Sequence, residues 1–287
     1  MGLALFWKKP GIASQAFLGE IKKQLNLPGP ARKGIGHNGT LDPFAEGLLL
    51  VAWEAGTKFL HAFQSLSKVY QVEMILGASS ETLDPETEME FPDRADSESV
   101  CERIRELATK DASFWQDFLT QKLGVQEQIP PRYSAVKIDG KVAYKLARKG
   151  QDFEIKARNV NIFECSHQKV ELFQESGISL LRWKFSVRVS AGTYIRALAR
   201  DWGAELCGFP GMLNTLTRTG MGAFSASKEL CPKLLGVDDL KKHFNIRYVS
   251  VDVGLALKNG QRLPLTPAPD SDQLIYEPSL GLSLIHI

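Results

Sequence analysis

The chain has 287 residues, of which 44% are hydrophobic and 24% charged, and its formal net charge is +2 at pH 7. These values are ordinary for a soluble globular protein, and the length can bury one large core and leave room for a small second domain. No apolar run reaches the length of a transmembrane helix, and the net charge is too small to indicate a nucleic-acid partner by itself.

The spacing of cysteine and histidine argues against a metal site. The four cysteines are widely separated, with no Cys-x-x-Cys pair and no disulfide framework, and the five histidines lack the spacing of metal ligands. The apolar part of the first ten residues is too short for a signal peptide, and Phe6 stands where a myristoylation signal needs Ser or Thr. We therefore expect no metal, no membrane attachment and a reducing, cytoplasmic setting.

Charge is unevenly distributed along the chain. Residues 132–158 hold eight Lys or Arg against three acids, whereas residues 81–106 hold ten acids against three Arg. A basic block of this kind can attract a polyanion such as nucleic acid. A solvated surface is the alternative that charge alone leaves open.

The first predicted elements are a strand and a helix. Residues 3–7 are predicted to form a short buried strand, which ends at the Lys8-Lys9-Pro10-Gly11 sequence. Ser14 is predicted to cap a helix whose apolar residues recur at spacings of three and four, namely Phe17, Leu18, Ile21 and Leu25.

Residues 36–47 are the most distinctive segment. Glycines flank the His37-Asn38 pair and Pro43 follows Asp42 directly, so a tight loop is predicted rather than a helix or strand. The proline restricts Asp42 to extended backbone angles. An aspartate in this setting can be a solvated turn residue, an Asx cap or a reactive carboxylate, and the local sequence alone favours the first two.

The middle of the chain is predicted to contain a strand, helices and the basic block. Residues 68–76 alternate as a half-buried strand with Tyr70 on the mostly apolar side, where a core tyrosine is the alternative to a functional one. Residues 97–107 are predicted to form an amphipathic helix, and the apolar stripe at 114–119 is assigned to the core. A further helix within the basic block is predicted to end at Gly150.

Residues 155–244 are predicted to contain two strands and two helices. Residues 155–164 and 179–189 alternate like antiparallel strands joined through a polar segment. Gly192 breaks the second strand, and a helix is predicted to begin near Thr193. Residues 232–244 are predicted to form another helix.

Four segments in this order resemble the TruB family, the tRNA pseudouridine-55 synthases. Residues 36–43, Gly-His-Asn-Gly-Thr-Leu-Asp-Pro, are similar to the family motif Gly-His-Thr-Gly-(Ser/Thr)-Leu-Asp-Pro. Residues 129–137, Ile-Pro-Pro-Arg-Tyr-Ser-Ala-Val-Lys, and 192–196, Gly-Thr-Tyr-Ile-Arg, match two more motifs, and 213–224 match the last active-site strand. The departures are Asn38 and Glu46, where the family has Thr, and Lys8, where an acid often precedes the Lys-Pro pair.

The resemblance implies a site built around Asp42 as the catalytic residue, with Arg196 as the partner that keeps it ionised. The other implied site residues are Tyr70, which stacks on the target base, Tyr194 beside the aspartate, Leu216 in the base pocket, and Lys9, whose pair with Pro10 supports the loop. Isomerising a uridine needs no metal and no other cofactor.

The resemblance also implies contacts with tRNA. An arm at residues 128–158 would close over the T-arm stem-loop, and His37 would stack in the space that the extruded base leaves. The residues assigned to phosphates are Lys137, Lys141, Lys145, Arg148 and Lys149.

We therefore predict an α+β fold, with a large mixed, mainly antiparallel sheet and flanking helices. Residues 1–230 would form the catalytic domain, and residues 231–287 a small, incomplete C-terminal domain that resembles a PUA-like RNA-binding domain. The predicted activity is conversion of uridine 55 of tRNA to pseudouridine by a monomer without an obligatory protein partner. One alternative is an RNA-binding or tRNA-folding factor whose catalysis is dispensable or lost. Another is the archaeal and eukaryotic relative that works inside a guide-RNA particle.

Overall fold

The computed structural model describes residues 2–27, 29, 34–93, 96–242, 245–248, 273–277 and 281–285. Its strands are β1 (Gly2–Lys8), β2 (Ile35–Asn38), β3 (Glu46–Trp53), β4 (Lys68–Leu76), β5 (Ser79–Ser80), β6 (Met89–Glu90), β7 (Gly124–Gln128), β8 (Lys137–Ile138), β9 (Lys141–Val142), β10 (Arg158–Glu175), β11 (Ile178–Val189), β12 (Met212–Met221), β13 (Phe224–Ser225), β14 (Lys233–Leu234), β15 (Asn245–Tyr248), β16 (Gln273–Glu277) and β17 (Gly281–Ile285). Its α-helices are α1 (Ser14–Gln24), α2 (Ser97–Ala108), α3 (Ala112–Gln121), α4 (Ala143–Ala147), α5 (Ile195–Cys207) and α6 (Val237–Leu240), and two 3₁₀ helices span Glu54–Phe63 and Lys228–Leu230. None of the helices in these ranges is long and apolar enough to cross a membrane.

A ten-stranded sheet organises the molecule. Its strand order is β14-β1-β3-β12-β4-β11-β10-β7, with β2 paired to β3 and β13 paired to β12. The β3–β12 pair is parallel, and the other pairs of this sheet are antiparallel. The predicted α+β class with a large, mainly antiparallel sheet is confirmed.

Helices α2, α3 and α5 bury one face of the central strands. The alternate residues of β4 that begin with Tyr70 pack into the same cluster as these helices. Three tryptophans form its centre, with 4.8 Å between the ring centroids of Trp115 and Trp183 and 6.1 Å between those of Trp183 and Trp202. Since Trp202 belongs to α5, the aromatic cluster fixes this helix against the sheet.

Strand β3 is buried on both faces. Leu48 and Leu50 pack with the first 3₁₀ helix, whereas Leu49 and Val51 pack with α1. All four side chains are fully buried. The apolar run that follows the loop of residues 39–45 therefore gives that loop a rigid base.

Strand β10 pairs with β7 only over its first residues, so the rest of that edge has no strand partner among the described residues. Residues 158–162 pair with β7, and β11 pairs along the rest of the strand. Beyond β7, the side chain of Gln116 on α3 bonds to the open edge. Its Nε2 donates to the Cys165 carbonyl at 3.3 Å, and the His167 N–H donates to its Oε1 at 2.9 Å.

Three predictions of where strands, helices and loops lie were wrong. Residues 36–38 belong to β2, because they pair with β3. The polar connection predicted at 165–178 is mostly strand, because β10 continues along β11 as far as Glu175. The helix predicted at 232–244 is β14 and the single turn α6, because Lys233–Leu234 pair with β1.

The stretch after residue 230 first stays with the main sheet, through β14 and through Leu240, which lies in the core beside β1 and β3. Strands β15, β16 and β17 form a separate three-stranded sheet. Residues 249–272 of the predicted C-terminal domain lie outside the described residues, and the domain boundary at residue 230 stays a prediction.

Candidate active site

Asp42 lies in the connection between β2 and β3, and Ser14 fixes the residue before it. The Ser14 hydroxyl donates to the Leu41 carbonyl at 2.8 Å and accepts from the Leu41 N–H at 2.9 Å. Ser14 was predicted to cap α1, but the N-cap is Ala13. The hydroxyl instead completes the hydrogen bonding of the Asp42 connection.

Pro43, the residue that follows Asp42, is held by Lys8 at the end of β1 and by the turn after that strand. The Pro43 carbonyl accepts from the Gly11 N–H at 2.8 Å and from Lys8 Nζ at 3.1 Å. The Lys8 ammonium also donates to the carbonyls of Lys9 and Ile12, and burial lowers the pKa of Lys8 to about 8. The support predicted for Lys9 thus comes from the Lys8 side chain, since that of Lys9 is exposed.

A buried arginine on β12 holds both ends of the connection. Arg218 is 1% exposed, and it donates from Nη2 to the Gly39 carbonyl at 2.9 Å and from Nε to the Leu48 carbonyl at 2.7 Å. Gly47 has a φ of +118°, and a Cβ there would lie 2.3 Å from the Arg218 carbonyl oxygen. Only glycine fits this close approach of β3 to β12.

Asp42 forms an ion pair with Arg196, the second residue of α5. Arg196 Nη2 donates to Asp42 Oδ1 at 3.0 Å, and Nε lies 2.9 Å from Oδ2. The arginine side chain is 5% exposed, whereas that of the aspartate is 32% exposed. The carboxylate is therefore held from the protein side and stays accessible from solvent.

Arg196 also contacts a second acid, Asp84. The distance from Arg196 Nη1 to Asp84 Oδ2 is 3.3 Å, and Nη1 donates to the Thr82 carbonyl at 2.8 Å. Asp84 is 2% exposed, and its Oδ1 accepts from the Thr82 hydroxyl and from the Glu86 N–H. One guanidinium thus joins the Asp42 connection to the segment after β4.

The protonation of Asp42 depends on opposing effects. Burial raises the pKa of its carboxyl above the ordinary value, and the negative charge of Asp84 acts in the same direction. The positive charge of Arg196 lowers the pKa, both through space and through its hydrogen bond. Arg196 is therefore the main group that favours the carboxylate form.

Two of the predicted base-pocket residues lie beside the Asp42 connection. Tyr70 on β4 is 8% exposed and Leu216 on β12 is 6% exposed, and both belong to the same apolar cluster as Leu41 and Ala45. Their strands are direct neighbours in the sheet. This arrangement provides an apolar wall next to the acid.

Tyr194 and His37 occupy different surroundings. Tyr194 is the N-cap of α5, and its ring centroid lies 4.6 Å from Cζ of Arg158, while the hydrogen bonds of Asp42 go to Arg196. His37 is on β2 and half-buried. Burial lowers the pKa of His37 to about 4, so its ring is neutral at pH 7.

The predicted arm contains a small hairpin and a helix. Strands β8 and β9 are joined by Asp139 and Gly140, whose φ values are both positive, and α4 follows. At the base of the arm, the Tyr133 hydroxyl donates to Glu81. The side chains predicted to bind phosphates are all exposed: Lys137, Lys141, Lys145, Arg148 and Lys149.

Several residues of this site were not predicted from the sequence. Asp84 and Arg218 were given no role, and Lys8 was noted only as a departure from the family pattern. A usable signal existed for Arg218, because it stands two residues after Leu216 and so faces the same side of β12. A charged residue at an inward position of a strand indicates a buried partner.

Comparisons with known proteins give the family. The sequence profile of the TruB family pseudouridylate synthase (N terminal domain) matches residues 30–195. The tRNA pseudouridine synthase B of Acholeplasma laidlawii is 35% identical over 246 residues, which cover 84% of this chain and 77% of that protein. The protein of the same name in Corynebacterium jeikeium is 31% identical and is covered to 94%. The chain belongs to the TruB family.

Other relatives in the TruB family are longer, and solved structures share the fold. This chain spans 64% of the length of the Bifidobacterium longum tRNA pseudouridine synthase B, to which it is 35% identical. A structure described as a Cbf5-Nop10-Gar1 complex has a TM-score of 0.58 at 22% identity, and covers 98% of this chain and 76% of its own. A structure of an H/ACA RNP bound to a substrate RNA containing 2'-deoxyuridine has a TM-score of 0.57 at 20% identity, with the same coverage.

Two departures from the TruB motif lie next to the site. Asn38 is 5% exposed, and its buried Nδ2 has no hydrogen-bond partner among the described residues. Glu46 accepts from the Thr217 hydroxyl at 3.4 Å and from Trp7 Nε1 at 3.5 Å, so it links β3 to β12 and β1. Neither side chain takes part in the pair between Asp42 and Arg196.

Proposed function

We propose that this chain converts uridine 55 in the T-arm of tRNA to pseudouridine, with Asp42 as the catalytic carboxylate. The observation that carries the proposal is the pair between Asp42 and Arg196, in which a buried cation orients an accessible acid on a fixed loop. Such preorganised charge is what lowers a reaction barrier in an enzyme site. The relatives named tRNA pseudouridine synthase B support the choice of reaction and substrate.

The proposed reaction breaks the N1–C1′ bond of the uridine, turns the uracil and joins C5 to C1′. The carboxylate can add covalently to the base or the sugar, or it can assist departure of the base and stabilise the intermediate. The C5 hydrogen leaves to water as a proton, and N1, which has kept the electrons of the broken N1–C1′ bond, takes up a proton, so the product is an isomer of the substrate. No redox or group-transfer reagent is needed for this balance.

The apolar wall suits a base that has left its stack. Tyr70 and Leu216 would contact the flipped uracil, and the neutral ring of His37 would stack in the vacated space of the RNA loop. Extrusion of a base costs a few kcal/mol, which such contacts would offset. Tyr194 would border the pocket from the start of α5.

The exposed cations of the arm would bind RNA phosphates. The double substitution of Lys141 and Lys145 by Ala should weaken tRNA binding and make its dependence on salt less steep, because fewer counterions are then released. Lys110→Ala is the matched control, since Lys110 is paired with Glu106 on α2. An unchanged salt dependence in the double variant would make the arm an ordinary solvated surface.

We further infer that the chain performs this reaction as a monomer in the cytoplasm, without an obligatory protein partner, and that residues 231–287 add a PUA-like RNA contact. Activity of the purified chain on a tRNA transcript, at the elution volume of a monomer, tests the first part. A requirement for an added protein would refute it.

The deciding experiment is tritium release from tRNA transcripts labelled at C5 of uridine. Wild type should release tritium from a single site, and Asp42→Asn should release none while it binds tRNA as tightly as wild type. Asp117→Asn, on the exposed face of α3, is the control. If wild type releases nothing from any tRNA despite tight binding, the chain is an RNA-binding factor instead.

A further inference from the structure

The arm leaves and re-enters the sheet at two residues that face each other. Gln128 ends β7, Arg158 begins β10, and the two are partners in the register of these strands. Both residues contact Tyr194. The two ends of the arm, Gln128 and Arg158, therefore meet at the N-cap residue of α5.

Gln128 bonds to both backbone groups of Tyr194, the N–H and the carbonyl. It is 2% exposed, its Nε2 donates to the Tyr194 carbonyl at 3.1 Å, and its Oε1 accepts from the Tyr194 N–H at 2.8 Å. A side-chain amide carries one donor group and one acceptor, so it can satisfy both backbone groups at once. This contact fixes the point at which α5 begins.

Arg158 holds the side chain of the same tyrosine. Its guanidinium lies over the Tyr194 ring, with Cζ 4.6 Å from the ring centroid, and Nη2 donates to the Gly192 carbonyl. The planar guanidinium is suited to stacking on an aromatic face. The Arg158 guanidinium thus holds the Tyr194 ring and the backbone at Gly192 together.

Tyr194 lies only two residues before Arg196, the partner of Asp42. The base of the arm also touches this helix directly, since Arg196 Nη2 donates to the Tyr133 carbonyl at 2.9 Å and Arg200 Nη2 donates to the Ile129 carbonyl at 3.0 Å. A displacement of Gln128 and Arg158, the two ends of the arm, would therefore move the Arg196 guanidinium that orients Asp42.

We propose that Gln128 and Arg158 are positioning residues that act through Tyr194 and couple the placement of the arm on RNA to the geometry of the Asp42–Arg196 pair. The inference rests on the proposed function, because it assigns the two residues to the same reaction. Neither residue needs to touch the reacting base.

The test compares Gln128→Met with Gln126→Met. Gln126 lies on the same strand and donates to the Lys122 carbonyl at 3.0 Å instead of bonding to Tyr194, so it is a matched control. With saturating tRNA, the single-turnover rate of Gln128→Met should fall about 10- to 100-fold, the effect of misplaced catalytic groups. Its Kd for tRNA should stay within about twofold, because the exposed cations of the arm are intact, and Gln126→Met should behave like wild type. Gln128→Glu keeps the acceptor, so its single-turnover rate should lie between those of Gln128→Met and Gln126→Met. It replaces Gln128→Met in the test if that variant does not fold.

Arg158→Met should show the same loss of rate at unchanged affinity, and Arg158→Lys should not restore the rate, because an ammonium lacks the planar stack. Weaker binding with a reduced salt dependence would make Arg158 a phosphate ligand and overturn its positioning role. An equal loss of rate in Gln128→Met and Gln126→Met would overturn that of Gln128.

A second readout does not depend on turnover. Hydrogen exchange of the amides at 194–198 should be faster in Gln128→Met than in wild type or Gln126→Met. If wild type releases no tritium, the proposed function fails, and exchange still decides whether Gln128 anchors α5. Unchanged exchange in Gln128→Met would overturn the inference even in an active enzyme.

Discussion

The hydroxyl of Ser14 makes two hydrogen bonds with the backbone of Leu41, the residue directly before Asp42. Ser14 is 2% exposed, so neither backbone group of Leu41 can exchange this partner for bulk water without local opening. The first residue of α1 is therefore a structural part of the Asp42 connection, although 27 positions separate it from Leu41.

Replacing Ser14 by Ala should lower both stability and turnover. The change leaves a buried N–H and a buried carbonyl without their partner, which costs about 1–3 kcal/mol. Urea unfolding measures the loss of stability, and single-turnover tritium release measures the effect on the reaction. Ser99→Ala removes an exposed serine bond to the Asp96 carbonyl and should change neither quantity. Equal effects of the two substitutions would show that Ser14 has no special role.

Asp84→Asn should move the acid limb of the pH–rate profile to lower pH. The negative charge of Asp84 raises the pKa of Asp42, so its removal lets the Asp42 carboxyl lose its proton at a lower pH. The plateau rate should also fall about 10- to 100-fold, because Arg196 loses one of the two acids that orient it. Single-turnover rates between pH 5 and pH 8 test both effects, with the exposed Glu90→Gln as control. An acid limb that stays in place would contradict the electrostatic link between the two carboxylates.

The free energy of unfolding of wild type, compared with that of Lys8→Met, should rise at alkaline pH. The folded pKa of Lys8 is about 8, below its ordinary value of 10.5. Between these values the unfolded chain binds a proton that the folded chain has released, so the free energy of unfolding rises with pH. Below pH 8 the burial of the charge is a constant cost. Urea unfolding from pH 7 to pH 10 measures the difference in the free energy of unfolding between wild type and Lys8→Met, which should shift in favour of wild type as the pH rises. The corresponding difference between wild type and Lys9→Met, a change at the exposed neighbour, should not depend on pH.

Asn38→Thr should stabilise the fold. The Nδ2 of Asn38 is buried and has no hydrogen-bond partner among the described residues, so removing this donor should raise the free energy of unfolding by about 1 kcal/mol. Threonine also suits a strand position such as this one on β2. Thermal and urea unfolding measure the change, and Asn38→Ala separates loss of the amide from gain of the β-branched side chain. A less stable Asn38→Thr variant would show that the amide has a partner worth more than its burial costs.

Sequence patterns predicted the elements whose signal is local. Strand β4 was predicted over residues 68–76, and its bounds in the structure are Lys68–Leu76. Its alternation predicted which side chains face the helices, because one face of this strand is covered and the other is partly open. Asp42 and Arg196 are 154 positions apart, so only the family resemblance joined them before the structure did.

The missed residues have a common physical reason. Strand β1 is buried on both faces, so alternation could not tell whether Lys8 or Lys9 points inward. The capping preference of serine is local, whereas the bond of Ser14 to Leu41 depends on how α1 packs. Likewise, the segment predicted as a helix after residue 231 is partly strand, because a pairing with β1 outweighs its local pattern.

The side chain of Gln116 has a consequence beyond the packing of α3. An unpaired strand edge can recruit a second chain by extending the sheet, and β10 is the longest strand described here. Gln116 already occupies the carbonyl of Cys165 and the N–H of His167, two groups that an incoming strand would need. One glutamine thus interrupts the template for intermolecular sheet growth at the end of the open edge that adjoins β7, and so disfavours the addition of a strand at that point.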